Sequence, residues 1–155
     1  MQRIPSFSID HTRLAKGLYL SREDDDVKTW DVRILEPNHG HYLTTAVSHT
    51  IEHLFATYAR NSQYKDGIIY IGPMGCRTGM YFLTRGLSDE EVLKCVVESY
   101  RFMSTYEGEI PGAKIEECGN YKEHDLEGCR KDAAEYLAVV EKLTPADMRY
   151  TYYLD

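Results

Sequence analysis

Residues 67–106, GIIYIGPMGCRTGMYFLTRGLSDEEVLKCVVESYRFMSTY, decide how this chain folds. Gly67 to Ile71 is a short apolar, β-branched run and reads as a strand. Pro73-Met74-Gly75 turns the chain, and Met80 to Thr84 resumes a strand. Ser88 is a good helix N-cap, followed by Asp89, Glu90 and Glu91 in the first turn, where acids suit the helix dipole. The helix runs to about Tyr106, and Pro111-Gly112 forbids its continuation. Upstream, Gly17–Leu20 and Trp30–Leu35 read as a second pair of short strands, the latter ended by Pro37-Asn38. The charge run Arg22–Asp26 between them reads as a solvated turn. Thr44 to Gln63 has helical periodicity, and another helix covers Glu127 to Leu143, stopped near Thr144-Pro145. Adjacent strand pairs separated by helices predict an α+β fold: a two-layer sandwich with a mostly antiparallel sheet covered by helices.

The 155 residues fit a single domain, 1–155. A chain of this length buries ~70% of the surface that its unfolded form exposes. At 43% hydrophobic and 28% charged residues the composition is that of a globular protein. A net charge of −7 argues against uniform nucleic-acid binding and against anionic membranes. No apolar run reaches the ~20 residues of a membrane span. The opening MQRIPSFSIDH lacks the apolar stretch of a signal peptide, so the chain is expected in the cytoplasm. There Cys76, Cys95, Cys118 and Cys129 stay reduced and are available for ligation or catalysis.

The first helix carries His49-Thr50-Ile51-Glu52-His53. At ~100° per residue the two histidines lie ~40° apart on successive turns, so both imidazoles can face one cation. Val47, Ile51, Leu54, Phe55 and Tyr58 form the apolar stripe of this helix. The histidines sit off that stripe beside Ala46, Ala56 and Thr57, small neighbours that leave room for another group. Glu52 reaches the same region. A catalytic metal site takes three protein ligands and keeps one position open. Cys76, Cys118, Cys129, His11, His39, His41, His124 and several carboxylates all qualify as the third ligand, and spacing does not choose among them. Cys95 and Cys129 fall inside helices and read as small core residues. Cys76 and Cys118 sit in loops beside glycines. Three readings of the cluster remain open. HxxEH is the pattern of the inverted zinc proteases. A lyase or isomerase uses the metal to polarise a carbonyl. A structural zinc module takes all four ligands from protein.

Four stretches together resemble the LuxS family of S-ribosylhomocysteine lyases. They are Ser6-Phe7-Ser8-Ile9-Asp10-His11, the His49–His53 motif, Pro73-Met74-Gly75-Cys76-Arg77-Thr78-Gly79, and Cys118-Gly119 followed by His124-Asp125-Leu126-Glu127-Gly128. The resemblance implies metal ligands at His49, His53 and Cys118 with water in the fourth position, and general acid/base roles for Cys76 and Glu52. It implies substrate contacts from Ser6, His11 and Arg33. It also implies one divalent metal per chain, Fe(II) with Zn(II) or Co(II) accepted, and a homodimer with each site at the interface. The activity implied is cleavage of S-ribosylhomocysteine to homocysteine and 4,5-dihydroxy-2,3-pentanedione, the autoinducer-2 precursor, with a place in quorum sensing or in recycling of the methyl cycle.

That chemistry suits these residue types. Two carbonyl migrations bring a ketone β to the thioether, and β-elimination then releases the thiol. Each step removes a proton next to a carbonyl, the task of a Lewis-acid metal with a thiolate and a carboxylate. Cys76 serves only with a depressed pKa, which its neighbour Arg77 and a divalent ion close by are expected to supply, unless Arg77 points away to the dimer or solvent. One departure stands out. Tyr70-Ile71-Gly72 occupies the place where the family usually reads Asp-Ile-Ser, and that acid is expected to hold the amino-acid end of the substrate. Tyr70 therefore implies either altered substrate handling or a plain packing residue.

Overall fold

Four strands, Gly17–Asp24 (β1), Val27–Arg33 (β2), Ile68–Pro73 (β3) and Gly79–Arg85 (β4), form one fully antiparallel sheet in the order β1-β2-β4-β3. The computed structural model describes residues 1–155. Helices Thr45–Asn61 (α1), Asp89–Thr105 (α2) and Leu126–Val140 (α3) pack on the sheet and on one another, giving the expected α+β sandwich. No helix is long and apolar enough to cross a membrane.

Strand parity explains both layers. On β2, Trp30 and Val32 are fully buried in the core with Phe82 of β4, Phe55 of α1 and Tyr100 of α2. The ring centroids of Phe55 lie 5.1 Å from Phe82 and 5.2 Å from Tyr100, so aromatic contacts join sheet to helices. Trp30 meets its polar need by donating to the Thr84 hydroxyl at 3.0 Å. Asp31 and Arg33 have the other parity and so face the second side of the sheet. Both are nonetheless buried, at 2% and 5% exposure. Two buried charges on the face away from the helices mark where the chain has built something other than core.

The helix starts follow the sequence closely. Ser88 caps α2 with a reciprocal capping box to Glu91, and Thr44 and Asp125 cap α1 and α3 through their side chains. The charge run differs from expectation. Arg22–Asp24 continues β1, β2 begins at Val27, and only Asp25-Asp26 turns, with Asp25 at φ 54°. β1 is an edge strand, and its charged end faces solvent with Arg22 bonded to Asp24 at 2.6 Å, so charge costs this strand little. α3 stops at Val140, and Leu143 belongs to a following turn.

The two ends of the chain meet. Backbone bonds join Asp10 to Tyr152, Leu154 to Ser8 and Leu20 to Met148, so the C-terminal segment lies between the N-terminal segment and β1.

Candidate metal centre and active site

His49 and His53 lie one turn apart on α1, as their spacing requires, and their rings are perpendicular with centroids 4.5 Å apart. Each Nδ1 is committed to a backbone carbonyl: His49 to Glu123 at 2.8 Å and His53 to Pro111 at 2.7 Å. Those carbonyls accept, so each Nδ1 carries the proton and each Nε2 presents a lone pair. The Cys118 sulfur sits 3.3 Å from Nε2 of His49 and 4.0 Å from Nε2 of His53. The loop that delivers both Pro111 and Cys118 crosses close over α1. Gly112, at φ 74°, makes that approach feasible, because a Cβ there would lie 3.1 Å from Nδ1 of His53.

His124 joins the cluster. One donor atom from each of His49, His53, Cys118 and His124 lies within 4.8 Å of the others, and the group fits a single metal ion. The Thr50 hydroxyl donates to the Ala46 carbonyl and accepts from the Asp125 N–H, so the His124 Nδ1 at 3.0 Å donates to it as well. The Nε2 of His124 is then a buried lone pair without a partner. Burial, followed by the neighbouring His49 and His53, pushes His124 down to about 4. Its ring lies stacked on His49, centroids 4.0 Å apart and planes 19° apart. Stacked rings point their lone pairs side by side. His49, His53, Cys118 and His124 thus present four donor atoms to one small space, the buried and unpartnered Nε2 of His124 standing beside the three donors expected from the sequence. Two imidazoles and a thiolate suit a borderline divalent cation such as Zn(II), Fe(II) or Co(II).

A second feature lies on the far side of the Met74-Gly75 turn. A cavity of about 340 Å³ is lined by Ser6, His11, Asp31, Arg33, Cys76 and Tyr150, among others. Cys76, Ser6, His11 and Arg33, read from the sequence as site residues, thus share one chamber. Glu52 lines a cleft with His49, Pro73, Met74, Gly75 and Arg77. Met74 and Gly75 wall both spaces.

Cys76 is exposed at the tip of the β3–β4 turn. Burial works to raise its pKa. The hydrogen bonds from the Thr78 side chain and backbone, with the Arg33 guanidinium, outweigh it and hold the thiol below its ordinary value. Cys95 and Cys129 show the opposite: burial pushes each up to about 12. The cation beside Cys76 is Arg33 and not the expected Arg77. Arg77 is left-handed at φ 61°, and its guanidinium turns to the Leu43 carbonyl at 3.4 Å and towards the Tyr42 ring. Tyr70 is 53% exposed on edge strand β3, with its ring over Gly72, and lies outside the lining of the cavity.

Sequence reasoning passed over Asp31, Thr78 and Tyr150. A signal existed for Asp31: in Trp30-Asp31-Val32-Arg33 two charges alternate with two apolar residues, which puts both charges on one strand face.

The family model for LuxS, S-ribosylhomocysteinase, matches residues 4–146. This chain belongs to the LuxS family. Among its relatives, the S-ribosylhomocysteine lyase of Phocaeicola vulgatus is 46% identical, over 97% of this chain and 98% of that protein. The enzyme of the same name from Porphyromonas gingivalis is 44% identical, over 97% and 99%. That of Finegoldia magna is 39% identical, again over 97% and 99%. In this LuxS chain the HxxEH helix supplies His49 and His53 to the group that could hold a metal ion.

Proposed function

We infer that this chain is an S-ribosylhomocysteine lyase, a carbon–sulfur lyase that releases homocysteine and 4,5-dihydroxy-2,3-pentanedione, and that residues 1–155 form one metal-dependent lyase domain. One observation carries the reading. In a LuxS chain, a cluster of four possible metal donors and a chamber holding a thiol with a lowered pKa lie on two sides of one turn, Met74-Gly75.

His49, His53 and Cys118 would hold the metal. A divalent cation held there would supply Lewis acidity for the proton transfers beside the carbonyl. Fe(II) is the proposed ion, with Zn(II) or Co(II) as substitutes that the same two imidazoles and thiolate accept. Cys76 and Glu52 exchange protons with the sugar carbons. The lowered thiol supports this, because a base is useful when it is ionised near the working pH. Ser6, His11 and Arg33 hold the substrate, since their side chains line the chamber with Cys76. Thiolate and carboxylate together move the carbonyl along the ribose until it stands β to the thioether, and elimination expels the thiol. The open coordination position follows from the lyase reading; a site that took His124 as a fourth ligand would be a closed structural one.

The working form is a homodimer with each site at the interface. The exposed Ile4, Phe7, Tyr153 and Leu154 near the joined termini support it, since they offer apolar surface beside the chamber. Four free thiols support a reducing, cytoplasmic setting.

The test is incubation of anaerobic, Fe(II)-loaded protein with S-ribosylhomocysteine in the presence of a thiol reagent. New thiol should appear in step with substrate loss. Hydrolysis of peptides without release of homocysteine would restore the protease reading.

A further inference from the structure

The second face of the sheet carries a chain of hydrogen bonds that ends at Cys76. Tyr150 donates to Oδ2 of Asp31 at 2.6 Å. Arg33 donates through Nη2 to the same oxygen at 2.7 Å and through Nη1 to the Thr78 hydroxyl at 2.7 Å. The Thr78 oxygen is 3.1 Å from the Cys76 sulfur, and Nη1 of Arg33 is 3.9 Å from it. The proton directions are settled by the donors. Arg33 only donates, so the Thr78 oxygen accepts from it and has its own proton free for sulfur. Burial, then Asp31, pushes the Tyr150 hydroxyl far up, so Tyr150 remains a donor. Burial opposes the charge on Arg33, and the Asp31 carboxylate outweighs it.

We propose that Tyr150, Asp31 and Thr78 are positioning residues for Cys76: Tyr150 and Asp31 pin Arg33, and Arg33 turns the Thr78 hydroxyl so that its proton points at the thiolate. This rests on the reading of Cys76 as a proton-transfer group. It adds that the C-terminal segment, through Tyr150, sets the reactivity of a thiol on the β3–β4 turn. The ionisable groups that share the chamber with Cys76 are Arg33 and Asp31 from β2, Tyr81 from β4, Tyr42 before α1, His11 near the N-terminus and Tyr150. Among them Asp31 gives the sharpest test, because positioning and bare charge predict opposite signs. A carboxylate near a thiolate disfavours it through space, so removal of its charge alone would lower the Cys76 midpoint. If Asp31 instead anchors Arg33, its loss frees the guanidinium, misaligns Thr78 and raises the midpoint.

The experiment is alkylation of the metal-loaded protein by iodoacetamide as a function of pH, read by mass spectrometry on the Cys76 peptide, with metal content and release of homocysteine measured in parallel. Asp31→Asn should raise the midpoint and slow alkylation of Cys76 at pH 7 by about ten-fold, the equivalent of one pKa unit. Tyr150→Phe and Thr78→Val should shift it the same way by less, Thr78→Ser should restore it, and metal content should stay that of the wild type. Tyr150→Phe and Thr78→Ser, being small changes, keep the test decisive where Asp31→Asn folds poorly. A lowered midpoint in Asp31→Asn, or an unchanged one in Tyr150→Phe and Thr78→Val, overturns the proposal. Wild-type protein that releases no homocysteine while its variants shift the midpoint as stated would overturn the lyase reading and leave the positioning chain standing.

Discussion

At the scale of single residues, the metal cluster depends on what happens at the far nitrogen of each histidine. Nδ1 of His49, His53 and His124 is each held by an acceptor, and this turns Nε2 towards the cluster. His53→Ala removes one donor of the cluster. Elemental analysis after dialysis should show metal reduced well below one per chain, and full occupancy would contradict the ligand assignment. Thr50 is the less obvious residue. Its hydroxyl takes part in three hydrogen bonds, with Ala46, His124 and the Asp125 N–H, and the residue is fully buried. Thr50→Val keeps the shape and orphans the other partners, which costs about 1–3 kcal/mol for a buried unmet group. Denaturant titration should show this loss together with weaker metal retention, and a variant as stable as the wild type would mean that water takes over those bonds.

At the scale of elements, caps and close approaches set where the site's parts stand. Ser88→Ala should cost α2 about 1 kcal/mol through loss of its capping box, with metal content unchanged, as read by denaturant unfolding and elemental analysis. Gly79 opens β4 opposite Arg33, and a Cβ there would meet the Val32 carbonyl oxygen of β2. Gly79→Ala should therefore destabilise the protein by about 1–3 kcal/mol and slow Cys76 alkylation, because the strand that carries Arg33 is forced aside. Normal stability and normal alkylation would show that the two strands absorb the methyl group. The elements were legible where one signal dominates: the cap at Ser88, and the i, i+4 histidines lying off the apolar stripe of α1. The charged end of β1 was not, because a solvated edge strand tolerates the residues that normally signal a turn. Nor was the environment of Cys76. Arg77 is its neighbour in sequence, yet a left-handed backbone at residue 77 sends that side chain away, and Arg33 arrives across the β2–β4 pairing from 43 residues upstream. The Tyr150–Asp31 contact spans 119 residues, and only the folded chain brings the two together.

At the scale of the whole molecule, the helices cover one face of the sheet and leave the other to the two termini, the Cys76 turn and the chamber they enclose. That division explains why two charged residues of β2 are buried away from the core. The apolar surface at Ile4, Phe7, Tyr153 and Leu154 should be covered by a second copy, so sedimentation equilibrium of the metal-loaded protein should give twice the 17.9 kDa of one chain. A single 17.9 kDa species that retains activity would place a complete site in one chain. The metal cluster and the Cys76 chamber are joined in one reaction only if the protein needs both at once. Wild type and Cys76→Ala, matched for metal content, should be compared for homocysteine released from S-ribosylhomocysteine per bound metal. Wild type should turn over repeatedly, while Cys76→Ala, with its metal intact, should release none above background. Equal release by the two proteins, or none by the wild type, would contradict a lyase built on this thiol.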